Sequence, residues 1–134
     1  MADAARVLER AKAGDAAAQA QIGIWSLYGR GTLIPLDEKA AFQWQERAAA
    51  QRHLVGVDYM SAFYENGNTA VKRDAVESLK WAYVLKTLQQ EEGKPTAQTD
   101  ARLKRLEAGL TPVQIREAKG RAAVWLKAHP APKR

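Results

Sequence analysis

Two histidines, His53 and His129, are the whole supply of imidazole in these 134 residues, and there is no cysteine at all. A zinc-type centre needs three or four such ligands at short spacing, and no carboxylate stands at a ligating distance along the chain from either histidine. Ser26, Ser61 and Ser78 have no base beside them in the sequence that would activate a hydroxyl. Glu38, Glu91 and Glu92 lack the opposed carboxylate that glycoside hydrolysis uses. Asp15, Asp37 and Asp74 each precede a helical pattern, where an aspartate accepts from the free amides of the first turn. No glycine-rich phosphate loop follows a strand, because no strand pattern is present. The reactive side chains therefore predict no enzyme, no cofactor and no metal. What remains is recognition chemistry: tryptophans, tyrosines, amides and unevenly placed positive charge.

The elements that would carry these groups read as helices. Alanine is abundant, and β-branched residues never alternate with polar ones for long. Asp3 is placed to cap a helix to about Ala13, which Gly14 stops. Asp15 opens a second helix ending near Tyr28, before Gly29-Arg30-Gly31. Asp37 caps a third through about Gln51, and a fourth runs from Leu54 to Asn66 and stops at Gly67. Asp74 with Glu77 spells a capping box for a fifth, reaching about Gln90. Glu91–Thr99 reads as a loop, with Asp100 starting a sixth helix that ends at Gly109. Thr111-Pro112-Val113-Gln114 combines a threonine cap, a proline at the first position and a glutamine at the third, opening a seventh helix to about Ala128.

The helices repeat. Ala18, Ile22, Gly23, Ser26 and Gly29 match Gly56, Met60, Ser61, Tyr64 and Gly67 at a spacing of 38 residues. Past the turn, Asp37, Ala41 and Trp44 match Asp74, Ser78 and Trp81 at a spacing of 37. A two-helix unit of this length marks an α-solenoid, in which each hairpin buries its face only against its neighbours. Gly23 and Ser61 fall where the helices of a hairpin approach closely, and Trp44 and Trp81 are expected between successive hairpins.

On these residues the chain resembles the Sel-one-like repeat (SLR) family, a relative of the tetratricopeptide repeat. The likeness rests on Ala18, Ile22-Gly23, Gly29-Arg30-Gly31, Asp37, Ala41, Trp44 and Arg47-Ala48-Ala49, with a more degenerate second copy, and extends over residues 1–128. The second copy keeps Tyr64, Gly67, Asp74 and Trp81, but has Ser61 for glycine and Thr69 for the second turn glycine. The resemblance implies an all-α fold: a short α-solenoid of helix-turn-helix repeats. It would hold about two repeats, over about 15–53 and 54–90, preceded by a half-repeat and closed by capping helices over 100–128. Residues 129–134 are expected to form a flexible tail. It also implies a non-enzymatic interaction module, either a small bacterial adaptor or regulator or an immunity-type inhibitor that neutralises a cognate toxin.

Two surfaces compete for a partner. In a solenoid of hairpins the first helix of each repeat lines the concave face. Off its core stripe lie Gln21, Trp25 and Tyr28 in the first copy and Tyr59, Phe63 and Asn66 in the second, four aromatics and two amides of the kind that anchor protein interfaces. The second surface is basic. Residues 1–66 hold seven Lys/Arg against eight Asp/Glu, a net −1, whereas residues 67–134 hold fourteen against seven, a net +7. Arg102 and Arg105 share one helix face, and Arg116 and Lys119 share another. An acidic protein partner, a toxin, effector or signalling protein, accounts for this charge better than nucleic acid does, because acids are interspersed and no nucleic-acid motif appears. Nucleic-acid binding through the C-terminal helices stands as the alternative. The charged N-terminus is no secretion signal and no apolar run reaches the ~20 residues of a membrane span, so the expectation is a cytoplasmic monomer or weak dimer.

Overall fold

The computed structural model describes residues 2–132. Seven helices follow one another: α1 (Ala2–Lys12), α2 (Ala16–Tyr28), α3 (Glu38–Ala50), α4 (Leu54–Asn66), α5 (Ala75–Glu91), α6 (Ala97–Ala108) and α7 (Pro112–Ala128). Among the described residues the only β-type pairing is an isolated bridge between Arg30 and Ile34 in the α2–α3 turn.

Most helix starts are made by the expected side chains. Asp15, Asp37 and Asp74 accept from the amides of Ala18, Ala40 and Glu77 at 3.1, 3.0 and 3.0 Å. Thr111 and Gln114 form a complete capping box at the head of α7. Three starts differ from expectation. Asp3 lies inside the first turn of α1 instead of capping it, where its charge still suits the helix N-terminus. The Asp74–Glu77 box is only half made, because the Glu77 carboxylate is held by Lys80 and Arg121. Helix α6 begins at Ala97, three residues early, since the Thr96 hydroxyl donates to Asp100 across the first turn at 2.9 Å.

The two repeats fasten the ends of their turns with matching backbone bonds. Gly29 and Gly67 donate to the carbonyls of Trp25 and Phe63, both at 2.7 Å, with φ of +81° and +71°, a region that favours glycine. Beyond the turn, Asp37 donates to the Ser26 carbonyl at 2.7 Å and Asp74 to that of Tyr64 at 2.8 Å. Ser26 and Tyr64 are the matched pair of the sequence repeat, so the chain re-enters each hairpin at an equivalent point.

Consecutive helices pack in series, α1 on α2, α2 on α3, α3 on α4 and α4 on α5, and then both α6 and α7 settle against α5. Three apolar clusters result. Ala4, Ala11, Ala18, Ile22 and Ile34 join α1, α2 and the first turn, with half-buried Trp25 and Trp44 against them. Met60, Phe63, Trp81, Leu85, Leu88 and Trp125 belong to the largest cluster, which joins α3, α4, α5 and α7. Leu79, Ala82, Leu103, Leu106 and Ala118 join α5 to α6 and α7. Each fully buried aliphatic side chain contributes about 1.5–3 kcal/mol, so α5, which feeds two clusters, holds the C-terminal half together. Trp81 takes its expected place between hairpins, edge-on to Trp125, whereas Trp44 is only half-buried, with the Arg47 guanidinium 4.7 Å over its ring.

Close helix approach is set by small side chains. Ser61 and Ser78 exchange hydroxyl-to-carbonyl bonds across α4 and α5 at 2.9 and 2.7 Å, which satisfies both buried hydroxyls. Gly23 faces the buried Gln45 side chain, whose amide donates to the Ala20 carbonyl at 2.9 Å. Residue 129 is not free tail. His129 stacks on Trp125 at 4.1 Å, and its carbonyl accepts from Arg52 at 2.6 Å. Lys133 and Arg134, the last residues of the expected tail, lie outside the described residues.

Candidate protein-binding surface

Helices α2 and α4 occupy equivalent places in the two hairpins, and Tyr28 of α2 lies near enough to Tyr59 of α4 to act on its hydroxyl. Tyr28, at the C-terminal end of α2, is 74 % exposed. Asn66, its counterpart on α4, is also exposed, and Gln21, Trp25 and Tyr59 are half-buried. Trp25 rests against the α1–α2 cluster on one side and carries the Arg30 guanidinium 4.2 Å over its ring. Burial raises the Tyr59 pKa, with the nearby Tyr28 hydroxyl and Asp58 adding to the rise, so its phenol stays a hydrogen-bond donor throughout the neutral range.

Phe63 departs from the expected strip. It is 6 % exposed and belongs to the main core cluster, with its ring 5.9 Å from Phe42 and 5.8 Å from Tyr59. Its ring supports Tyr59 from below and offers a partner almost no area. Sequence reasoning missed two exposed apolar residues in the neighbouring turn. Leu33 and Leu36, in the longer first turn, are 47 % and 65 % exposed, and Leu36 lies against Gly29 beside Tyr28. The signal was available in the extra turn residue and in an apolar Leu33-Ile34-Pro35-Leu36 run of which only Ile34 is buried.

The closing helices lengthen the array. Arg102 of α6 pairs with Asp58 of α4 at 2.8 Å, and Arg105 binds both oxygens of Glu65 at 2.8 and 3.0 Å. Hydrogen bonds from Arg105 hold the Glu65 carboxyl below its ordinary value. Between α4, α5 and α6 a cleft of about 540 Å³ opens, floored by Leu54 and Leu85 and edged by Gln89, Gln98 and Arg102.

Three of the four cations expected to form the basic surface have partners within the chain. Arg102 and Arg105 are bound to acids of α4, and Lys119 lies 5.6 Å over the Tyr83 ring. Lys86 and Arg121 also have acidic partners, in Asp100 and in Glu77 with Glu117. Of the four cations expected to form that surface, Arg116 alone is exposed without an acidic or aromatic partner among the described residues. The acidic halves of the pairs sat in plain view at Asp58 and Glu65, seven residues apart on one face of α4.

Among the described residues, no group of three or more His, Asp or Glu side chains is placed to hold a metal ion. No described helix is long and apolar enough to cross a membrane.

No family model and no curated protein sequence matches the chain. Among solved structures it is similar to the crystal structure of a protective antigen present in uropathogenic Escherichia coli strains, described as displaying an SLR fold. The superposition has a TM-score of 0.77 at 21 % identity, and covers 94 % of this chain and 25 % of that one. The chain therefore has the SLR fold, an all-α array of helical hairpins, and spans about a quarter of the length of that antigen.

Proposed function

We propose that this SLR-fold chain is a non-enzymatic module that binds another protein on the strip formed by α2, α4 and the first turn. The observation that carries the reading is the open apolar corner at Tyr28, Leu33 and Leu36, flanked by half-buried Trp25 and Tyr59. Aromatic anchors ringed by amides and by a cation such as Arg30 supply large contact area at small entropic cost. Gln21 and Asn66 supply the amides at the edge of the same strip. Phe63 acts indirectly, by holding Tyr59 in place.

The role that fits a compact interaction module of this kind is that of an adaptor, or of an immunity-type inhibitor dedicated to one toxin or effector. A dedicated inhibitor has a single tight partner, encoded by a neighbouring gene; an adaptor has several weaker ones. An acidic partner fits the exposed cations left after internal pairing, and its association rate then falls as salt rises. The nucleic-acid reading is weakened, since Arg102 and Arg105 are spent on α4.

The test is capture of partners from the native lysate, followed by calorimetry with the purified partner. Tyr28→Ala should weaken binding by about 2 kcal/mol, roughly 30-fold, with helicity unchanged. A partner held equally well by Tyr28→Ala and by Tyr59→Ala would place the interface elsewhere. Phe63→Ala should instead lower the unfolding midpoint, as loss of a core phenylalanine does.

A further inference from the structure

The cleft between α4, α5 and α6 is built from neighbouring turns of three helices. Val55 and Asp58 stand one turn apart on α4, Leu85 and Gln89 on α5, and Thr99 and Arg102 on α6, and all six line a space of about 540 Å³. Pockets that hold a ligand run from about 300 to 1,000 Å³. Leu54, Val55 and Leu85 give the cleft an apolar wall.

Its polar side chains are held in place without being used up. Thr99 is buried, and its hydroxyl donates to the Gln89 side-chain oxygen at 2.7 Å, which leaves the NH2 group as the open end of that amide. The Arg102 side chain is 20 % exposed and reaches Asp58 through Nη1 alone, at 2.8 Å to the carboxylate and 3.4 Å to the backbone carbonyl. Asp58 matches its charge, yet Nε and Nη2, which carry three of the five guanidinium N–H groups, have no partner among the described residues. Arg105, on the next turn, uses that same Nε–Nη2 edge to grip both oxygens of Glu65. Nε and Nη2 of Arg102 and Nε2 of Gln89 all keep contact with solvent, so a ligand in the cleft can reach them. The Asp58 side chain is 49 % exposed, and its second carboxylate oxygen is open as an acceptor.

We propose that the cleft is a socket for the C-terminal residue of a partner polypeptide, where that residue is aliphatic. The α-carboxylate of that residue accepts from the Nε–Nη2 edge of Arg102 and from the Gln89 amide. Its backbone N–H donates to the open oxygen of Asp58, and its side chain lies against Leu54 and Leu85. One guanidinium serves two carboxylates on different edges, and the two-nitrogen edge is the one that fits a carboxylate fork. Each part of the site narrows the ligand. The donors call for a carboxylate, the apolar wall for an aliphatic one, and the Asp58 acceptor for one that carries an N–H, which a free fatty acid lacks. The proposal rests on the reading of the chain as a protein-binding module, but not on the α2–α4 strip or on Tyr28.

The experiment is an NMR titration of the full chain with N-acetyl-leucine, which has a free carboxylate, an N–H and an aliphatic side chain. The readouts are the Gln89 side-chain amide and the Arg102 Nε–H resonances, assigned by their loss in Gln89→Leu and Arg102→Lys. The expected result is a saturable shift of both. Binding should be about tenfold weaker for N-acetyl-leucine N-methylamide, which has no carboxylate, and for hexanoate, which has no N–H. Arg102→Lys keeps a cation beside Asp58 but loses the two-nitrogen edge, and should weaken the titration about tenfold when followed on the Gln89 amide. Tyr28→Ala should titrate as the wild type does. Resonances that do not move overturn the proposal, and so does an equal response to the methylamide or to hexanoate; neither comparison needs a variant to fold. An undiminished titration in Arg102→Lys, or one abolished by Tyr28→Ala, overturns it as well, the latter by moving the ligand to the strip.

Discussion

A methyl group added at Gly56 would sit 2.6 Å from the backbone nitrogen of Ala49 and 2.9 Å from the carbonyl oxygen of Gln45. Both are main-chain atoms of α3, so relief requires the two helices to separate. Gly56→Ala is expected to cost about 1–3 kcal/mol, read as a lower urea midpoint. Gly120, on the open face of α7, meets nothing within 4 Å. Gly120→Ala should therefore stabilise the protein by about 0.5–1 kcal/mol in the same assay, through helix propensity alone. This contrast between two helical glycines was only partly legible in the sequence. Gly23 and Ser61 stood at a recognisable repeat position, but Gly56 aligned with Ala18, and contact between backbones leaves no mark on residue type. Phe63 was misplaced for a related reason. A stripe at i, i+4 and i+7 fixes an angle around the helix, and it does not tell that Phe42 stands opposite.

Helix boundaries were the most legible level, because caps are local chemistry. The limits of α4 and α7 followed from their flanking residues, and Asp15, Asp37 and Asp74 cap as read. The start of α6 was missed because the Thr96-to-Asp100 bond, an unremarkable pair by type, extends that helix backwards. What docks α6 was missed as well, since it depends on pairing across 40 residues. Its dependence on pH follows from Glu65, whose folded value is depressed below 4.5, chiefly by the bonds from Arg105. A carboxylate depressed in the folded state contributes stability that is fully present above its ordinary value and is lost as pH falls through the lowered one. Stability of the wild type should therefore fall more between pH 7 and pH 3 than that of Arg105→Ala, measured by urea titration at each pH. Parallel pH profiles for the two would show that the pair adds nothing to docking. The pair is partly exposed, so the separation between the curves should be modest.

Across the whole molecule, stability should be graded along the array. A solenoid has no single centre; each helix is held by its neighbours, and those with one neighbour open first. Helix α5 packs against α4, α6 and α7, while α1 and α6 each rest chiefly on one helix. Amide exchange is expected to be slowest in α5 and fastest in α1 and α6; uniform protection across all seven helices would mean the chain opens as one unit. The turn geometry has a practical corollary. Each hairpin turn is fastened at both ends by the same pair of backbone bonds, yet the first turn is one residue longer than the second. Exposed positions between the fasteners, away from the buried Ile34, can thus take added residues at small cost, since each doubling of a loop costs only about 0.6 kcal/mol. Residues 31–33 and 69–70 are accordingly the natural insertion points for an epitope tag or a fluorophore, and lengthening the turn beside Tyr28 would graft new contact surface onto the array without redesigning its core.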